Sequence, residues 1–539
     1  MRSLTTSVSP GRPGRLAAMF GLALTALLAL PAGWLLWMSL ARAMALLAYP
    51  YPHDGLEGTL LYEALLWRNG EALYQPLELY RFVSAPYPPL YYVALMIAGT
   101  DAGPHVFWNG RLVSAATGLV IAGVVTVLVG RGTGSWIAGA LGATLILSAP
   151  PMLLWGTRIK PDVLALGFTA LGLLLTSLVI SPARQRDQGD MAAGTESAGS
   201  ATLIPWPLLG ATLCFVAAFF TKQTAIAGPL AAGVALLAAD VHDWLALRYM
   251  PEHRQPMSFV RRLPLRWRTL VFAGLYLALA LGIWAVLDLL TARAYTLHVW
   301  WNFQRGSWWS FALLNKIVSL LGFWWPLMLL SAVTILLAAR DRRLLVAAAY
   351  MLTAPLTLSA TGETGANHNH LLETHLALAI TGASATGWAL SVLSRRPLIA
   401  LPLIGLLGLQ LALAGRPPDW YTNQLVPNDP PERFLVFMRH TPGEILADDT
   451  GLLFQAGKPL RYDDPSTMGP AARTGKWDQR GLLEDIAAQR FSAIMIPVNV
   501  EKSDRDASGR WTPEMLAAIN QHYRLLYRDT IFTYVPRER

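Results

Sequence analysis

Two acidic residues three positions apart, Asp54 and Glu57, follow directly on a long apolar run and open the segment HDGLEGTLLYEALLWRNGEALY. A charge just beyond a membrane span is expensive to place and usually has a task. At ~100° per residue, Glu57 shares a helical face with Leu60, Leu61 and Ala64, while Glu63 is turned away by ~240°. Glu57 is therefore expected to face the protein. A carboxylate against an apolar wall tends toward a raised pKa and can act as general base for a hydroxyl or an amine. The alternative is a solvated helix start, with Asp54 as cap and Glu57 closing a capping box.

Further polar groups recur at similar places between apolar runs. WGTRIKPDVLALGF puts Arg158, Lys160 and Asp162 at the end of a span, where the cations suit a phosphate and Asp162 could orient a substrate; interfacial snorkelling with an Asp cap fits them equally. TKQTA sets Lys222 in a tight turn between two spans, where a solitary ammonium is useful chiefly for an anion. ETGANHNHLLETH gathers Glu363, Asn369, His370 and Glu373 at a span entrance, and HVWWNFQRGSWWSF places Arg305 among aromatics. His370 and Glu373 at i, i+3 do not match HExxH, so a divalent cation and a polar substrate cavity are the two readings of that density. Arg305 could grip a lipid phosphate or a sugar, and a Trp belt explains its neighbours.

The elements that must carry these groups are membrane helices. Of the 539 residues 54% are hydrophobic and 14% charged, and the mean hydropathy is +0.39. That is far more apolar than a soluble domain and marks a polytopic α-helical membrane protein. The net charge of +9 sits in short loops between apolar runs, which excludes a nucleic-acid stripe. A single cysteine, Cys214, excludes an intrachain disulfide and a zinc–cysteine cluster.

Apolar runs at 16–48, 104–130, 134–153, 162–180, 205–221, 224–240, 269–291, 313–338, 344–360, 371–393 and 398–415 make about eleven spans of the ~20 residues needed to cross. Residues 88–99 are too short and belong at the interface. Arginine-rich loops at 241–268, 340–343 and 395–396 fall on one side, expected to be cytoplasmic with the N-terminus. Segments 49–103, 154–161, 222, 292–312 and 361–370 then lie outside, as does everything after 415. Loop 183–202 reads as disordered. The expected division is a membrane unit, 1–415, and a small extracytoplasmic α/β unit, 416–539. In the latter, EILADD, LLFQAG, FSAIMIPV and FTYV read as strands, and LLEDIAAQ and TPEMLAAINQHY as helices.

The order DGLEG, GEALY, YPPLYY, NGRLVS, RIKPD, TKQ and GANHNHLLE along such a chain resembles the GT-C superfamily of polyprenyl-phosphate-sugar-dependent glycosyltransferases. The resemblance is to the branch holding protein mannosyltransferases, aminoarabinose transferases and the family 39 and RgtA/B/C/D-like bacterial transferases. It implies transfer of a sugar from a polyprenyl-phosphate donor to a lipid, glycan or protein acceptor at the outer face of the plasma membrane, with inversion. It also implies a first-loop carboxylate pair, matched here by Glu57 with Leu56 in place of the preceding Asp, and Asp54 three residues before Glu57. Asp162 matches the second-loop carboxylate; no nucleotide-binding loop is needed, since the donor arrives activated and bound to lipid, and a divalent metal is left open as cofactor. A transporter or flippase of a lipid-linked saccharide is the rival reading, but no pair of broken helices at matching positions supports it.

Overall fold

The computed structural model describes residues 15–99, 105–180, 205–249, 267–301, 314, 317–318, 321–362, 367–416 and 431–537. Arg305, Glu363 and loop 183–202 lie outside these residues. Helices occupy the eleven apolar runs, and six of them are long and apolar enough to cross a membrane. Among the described residues these are Ala26–Leu47, Trp108–Thr133, Pro161–Ile180, Trp267–Leu290, Arg342–Thr361 and Pro397–Ala414.

The long helix α1 (Arg15–Leu47) turns Leu27, Leu30, Trp34 and Trp37 outward, as a lipid-facing surface requires. Helix Leu372–Val392 is the opposite case: it is buried on nearly all sides and built from Ala, Gly, Ser and Thr, whose small side chains let neighbouring backbones approach. Its low hydropathy follows, because little of it meets lipid.

Proline sets the ends that matter for the site. Of the helices α4 (Trp108–Thr133), α5 (Trp136–Ser148) and α6 (Pro150–Trp155), the middle one stops where Pro150 forces Ala149 into extended backbone. The run expected at 134–153 is thus two helices. The buried α6 then leads through Arg158 and Lys160 into α7 (Pro161–Ile180), which Pro161 opens. α8 (Trp206–Thr221) ends at Lys222, and α9 (Ala227–Tyr249) leaves again five residues later. At the far end of α9, Asp240 and Asp243 pair with Arg268, the second residue of α10 (Trp267–Leu290), and Asp243 also holds Arg342.

The C-terminal segment forms a four-stranded sheet ordered β1-β2-β4-β3, with β1 (Ile445–Ala447), β2 (Ala493–Ile496), β3 (Tyr523–Tyr527) and β4 (Phe532–Pro536). β1 and β2 are parallel, and the other pairs are antiparallel. LLFQAG, expected as a strand, is helix Thr450–Gln455, because Asp449 caps it and its leucines pack on the first acidic segment. β3 was not expected; it follows the helix Pro513–His522 without a gap.

This unit sits on the end of the bundle that carries α2 (Leu56–Arg68) and the short α3 (Pro89–Ala98). A Cβ on Gly58 would lie 2.5 Å from Gly451 Cα, so α2 and helix Thr450–Gln455 meet backbone to backbone. Phe82 N donates to Arg461 O at 2.9 Å and Asp463 N to Phe82 O at 3.1 Å. Enclosure on this side corrects the expectation for Glu63, which is fully buried. Its carboxylate accepts from Ser84 Oγ (2.8 Å), Ala85 N (2.6 Å) and the Tyr92 hydroxyl (2.8 Å).

Those three donors leave the proton of the Glu63–Asp463 pair on Asp463, whose carboxyl burial pushes far above its ordinary value, with the charges of Glu63 and Asp464 adding. A raised folded-state value gives stability at low pH that is lost as pH rises through it. Wild-type Tm should therefore fall as pH rises above the ordinary aspartate value of 3.8 and on through the raised one, the buried charge formed there costing ~1–3 kcal/mol. Asp463→Asn keeps a donor toward Glu63 without the second acid, so its Tm should fall less than wild type over that range, Glu63 itself being raised to about 7 by burial; an equal decline would remove the shared proton.

Candidate active site

Glu57 is fully buried, as its helical face implies, but its wall is not apolar. Arg111, in the first turn of α4, donates Nε to Oε1 (3.1 Å) and Nη2 to Oε2 (2.7 Å). Ile159 N (2.9 Å) and His53 N (2.8 Å) supply one further donor to each oxygen. Arg111 spends its remaining donors on the carbonyls of Tyr49 (2.5 Å) and Tyr51 (2.6 Å). Burial alone would raise the Glu57 carboxyl, but the charges of Arg111 and His53 and the hydrogen bonds they donate bring it down to about 2. The expected raised pKa is thus reversed, and both oxygens are fully engaged. Glu57 ties α2, α4 and the approach to α7 into one junction.

Asp54 does not cap α2, whose N-cap is Gly55 with no side-chain hydrogen bond. Its carboxylate faces Lys160 Nζ at 3.2 Å and Arg158 Nη1 at 3.7 Å, and 32% of the side chain is exposed. The two cations expected to hold a phosphate therefore flank the carboxylate that stays accessible. Asp162, in the first turn of α7, accepts from Lys222 Nζ (2.5 Å) and Asn369 Nδ2 (2.7 Å) on Oδ1, and its buried Oδ2 has no partner. Asp162, Lys222, Asn369, His370 and Glu373 line one cleft of about 320 Å³. Glu373 accepts from the Tyr350 hydroxyl. Among the described residues no three His, Cys, Asp or Glu side chains converge as metal ligands.

The structure thus brings Asp54, Arg158 and Lys160 into one group and Asp162, Lys222, Asn369, His370 and Glu373 into another. Four contributors were not singled out from sequence: Arg111, Tyr91, Tyr350 and Asp449. Arg111 left a signal, a charge opening an otherwise apolar helix. Asp449 left none, because it reaches the site from the C-terminal unit. It caps helix Thr450–Gln455 through Leu452 N at 3.0 Å, while Thr450 Oγ1 donates to Gly55 O at 2.8 Å beside Asp54. Burial, opposed by the Leu452 amide and reinforced by the charges of Asp54 and Asp448, brings its carboxyl up to about 7.

The sequence matches no family model and no curated relative. Solved structures do match in fold. ArnT from Cupriavidus metallidurans bound to undecaprenyl phosphate is 13% identical, with 93% of this chain and 98% of that chain covered and a TM-score of 0.51. Its apo state gives 14% identity, coverage of 93% and 97%, and the same TM-score of 0.51. The archaeal oligosaccharyltransferase AglB from Archaeoglobus fulgidus, in complex with an inhibitory peptide and a dolichol-phosphate, is 14% identical, covering 97% of this chain and 75% of that chain at a TM-score of 0.50.

The chain shares the fold of these ArnT and AglB structures. Within this fold, both groups of polar residues lie at the end of the membrane bundle that the C-terminal sheet unit covers. Every one of them stands at a helix end or in a connection, where the backbone leaves the regular bundle and a ligand can reach it.

Proposed function

We propose that this chain is a membrane glycosyltransferase that moves a sugar from a polyprenyl-phosphate donor to a lipid, glycan or protein acceptor. The observation that carries this is the accessible carboxylate of Asp54, flanked by Lys160 and Arg158, at the same bundle end as the Asp162–Lys222–Asn369 cleft. The GT-C fold supports it, as do the undecaprenyl phosphate and dolichol-phosphate of the ArnT and AglB structures.

Asp54 is the general base. It takes the acceptor proton as the acceptor oxygen attacks the anomeric carbon; the bond from that carbon to the phosphate oxygen breaks, and polyprenyl phosphate departs with the electron pair. One displacement inverts the anomeric centre. Lys222, Arg158 and Lys160 offset the charge growing on the leaving phosphate, while Asn369, His370 and Glu373 contact the sugar. Glu57 holds the junction that positions Asp54, and Asp162 fixes Lys222. No step needs a cofactor.

Residues 1–415 would form the membrane unit and 416–539 an extracytoplasmic cover, with the N-terminus in the cytoplasm of a plasma-membrane protein. The arginines at the far bundle end, Arg268, Arg342, Arg395 and Arg396, support that orientation. In a Cys214-free chain a cysteine at the exposed position 502 should react with an impermeant maleimide in intact cells; reaction only after lysis would reverse the orientation. The function itself is tested with purified protein, undecaprenyl phosphate bearing radiolabelled glucose, galactose or mannose, and lipid and peptide acceptors. Only a transferase releases free undecaprenyl phosphate. Movement of intact donor across vesicles without release would support a transporter.

A further inference from the structure

Successive tyrosines on α3 have opposite fates. The Tyr92 hydroxyl donates to Glu63 at 2.8 Å and is satisfied inside the junction with the C-terminal unit. Tyr91 is just as buried, yet its hydroxyl has no hydrogen-bond partner. Leaving a buried hydroxyl unpaired costs ~1–3 kcal/mol, so its position calls for a use. Its surroundings are the carboxylates of Glu57, Asp162 and Asp54, each near enough for its charge to act on the phenol.

Of those three carboxylates Glu57 is saturated by its four donors, and Asp54 Oδ1 faces the Lys160 ammonium at 3.2 Å, whereas Asp162 Oδ2 has no partner. A second interior acceptor, Asn369 Oδ1, is likewise unpaired. Two acceptors and one donor therefore stand without partners around the same region, beside the Asp54 carboxylate. A sugar hydroxyl fits such a set: it donates one proton and accepts through two lone pairs. Carboxylates can only accept, so a hydroxyl bound to them needs a separate donor for its own oxygen. Burial first, and then the charges of Glu57, Asp162 and Asp54, raise the phenol of Tyr91 well above its ordinary value. It stays protonated and can donate at any working pH.

We infer that the Tyr91 hydroxyl donates a hydrogen bond to a hydroxyl oxygen of the transferred sugar, held between Asp54 and Asp162. The inference rests on the transferase reading above and adds to it a sugar-binding residue on the interfacial helix. It also assigns the substrate a hydroxyl at that position.

Tyr91→Phe removes one oxygen and nothing else. With whichever of undecaprenyl-phosphate glucose, galactose or mannose the wild type turns over fastest, the variant should lose kcat/KM by about tenfold to a hundredfold. Its Tm should be unchanged or higher, since an unpaired buried hydroxyl has gone. Singly deoxygenated forms of that donor locate the contact: the penalty should vanish for the one lacking the bonded hydroxyl and persist for the rest. Wild-type kcat/KM in Tyr91→Phe, an equal penalty across every deoxygenated donor, or a Tm loss that accounts for the lost activity would each overturn the inference. Asp54→Asn, run alongside, separates the two levels. An inactive Asp54→Asn with a fully active Tyr91→Phe removes only the tyrosine, whereas full activity in both removes the transferase reading.

Discussion

Asp54→Asn should lower turnover by about 10²–10⁴ while donor binding changes little. Asn keeps the size of the side chain and can still lie beside Lys160 and Arg158, but it cannot take a proton from the acceptor. The pairs it weakens are partly exposed, 32% on the Asp54 side and 11–12% on the cation side, so the direct stability loss should stay within ~1 kcal/mol. Two cations left without their carboxylate would, if anything, hold the donor phosphate more tightly. Single-turnover kinetics with pre-bound donor measure the chemical step apart from binding. A variant that transfers sugar at the wild-type rate with saturating donor would remove Asp54 as the base.

Much of this arrangement was legible in the sequence, for physical reasons that differ from residue to residue. Membrane helices announce themselves by length and apolarity, and a polar residue at their ends is conspicuous against that background. Asp162, Lys222, Asn369, His370 and Glu373 come from three separate stretches, yet each marks the start or end of an apolar run, and they line one cleft. Partners were harder to read. Glu57 could be seen to face inward, but what it faces depends on Arg111, 54 positions on. Glu63 looked exposed because helical periodicity in a short segment reports one buried face, and α2 has two: α3 closes one side and the C-terminal unit the other. Asp449 and Asp463 belong to that same blind spot. Nothing in the text of LADDT or RYDDP tells which acid of each pair turns toward the bundle; the sheet order and the pairing of Phe82 with Tyr462 decide it.

Glu57→Gln should chiefly cost stability, about 3–5 kcal/mol, because it leaves the Arg111 charge buried without its counter-ion. Both side chains are fully buried at 2.7 Å, so water can restore little. The pH dependence carries the same signature. A carboxyl held at about 2 rather than its ordinary 4.5 contributes stability above the ordinary value and loses it as pH falls toward the folded one. Wild type should therefore destabilise between those two values, and Glu57→Gln should not show that component. Removing both charges, as in Glu57→Leu with Arg111→Leu, should recover part of the loss, since a buried pair replaced by apolar groups is often close to neutral. Thermal unfolding in detergent, followed by turnover at a temperature where the variant is still folded, decides between the two carboxylates. If Asp54 is the base, folded Glu57→Gln retains most of its turnover, and any loss follows the misplacement of α2. Should Glu57→Gln instead match wild type in Tm and fail only in turnover, Glu57 is the base after all, and the ion pair with Arg111 must open during the reaction.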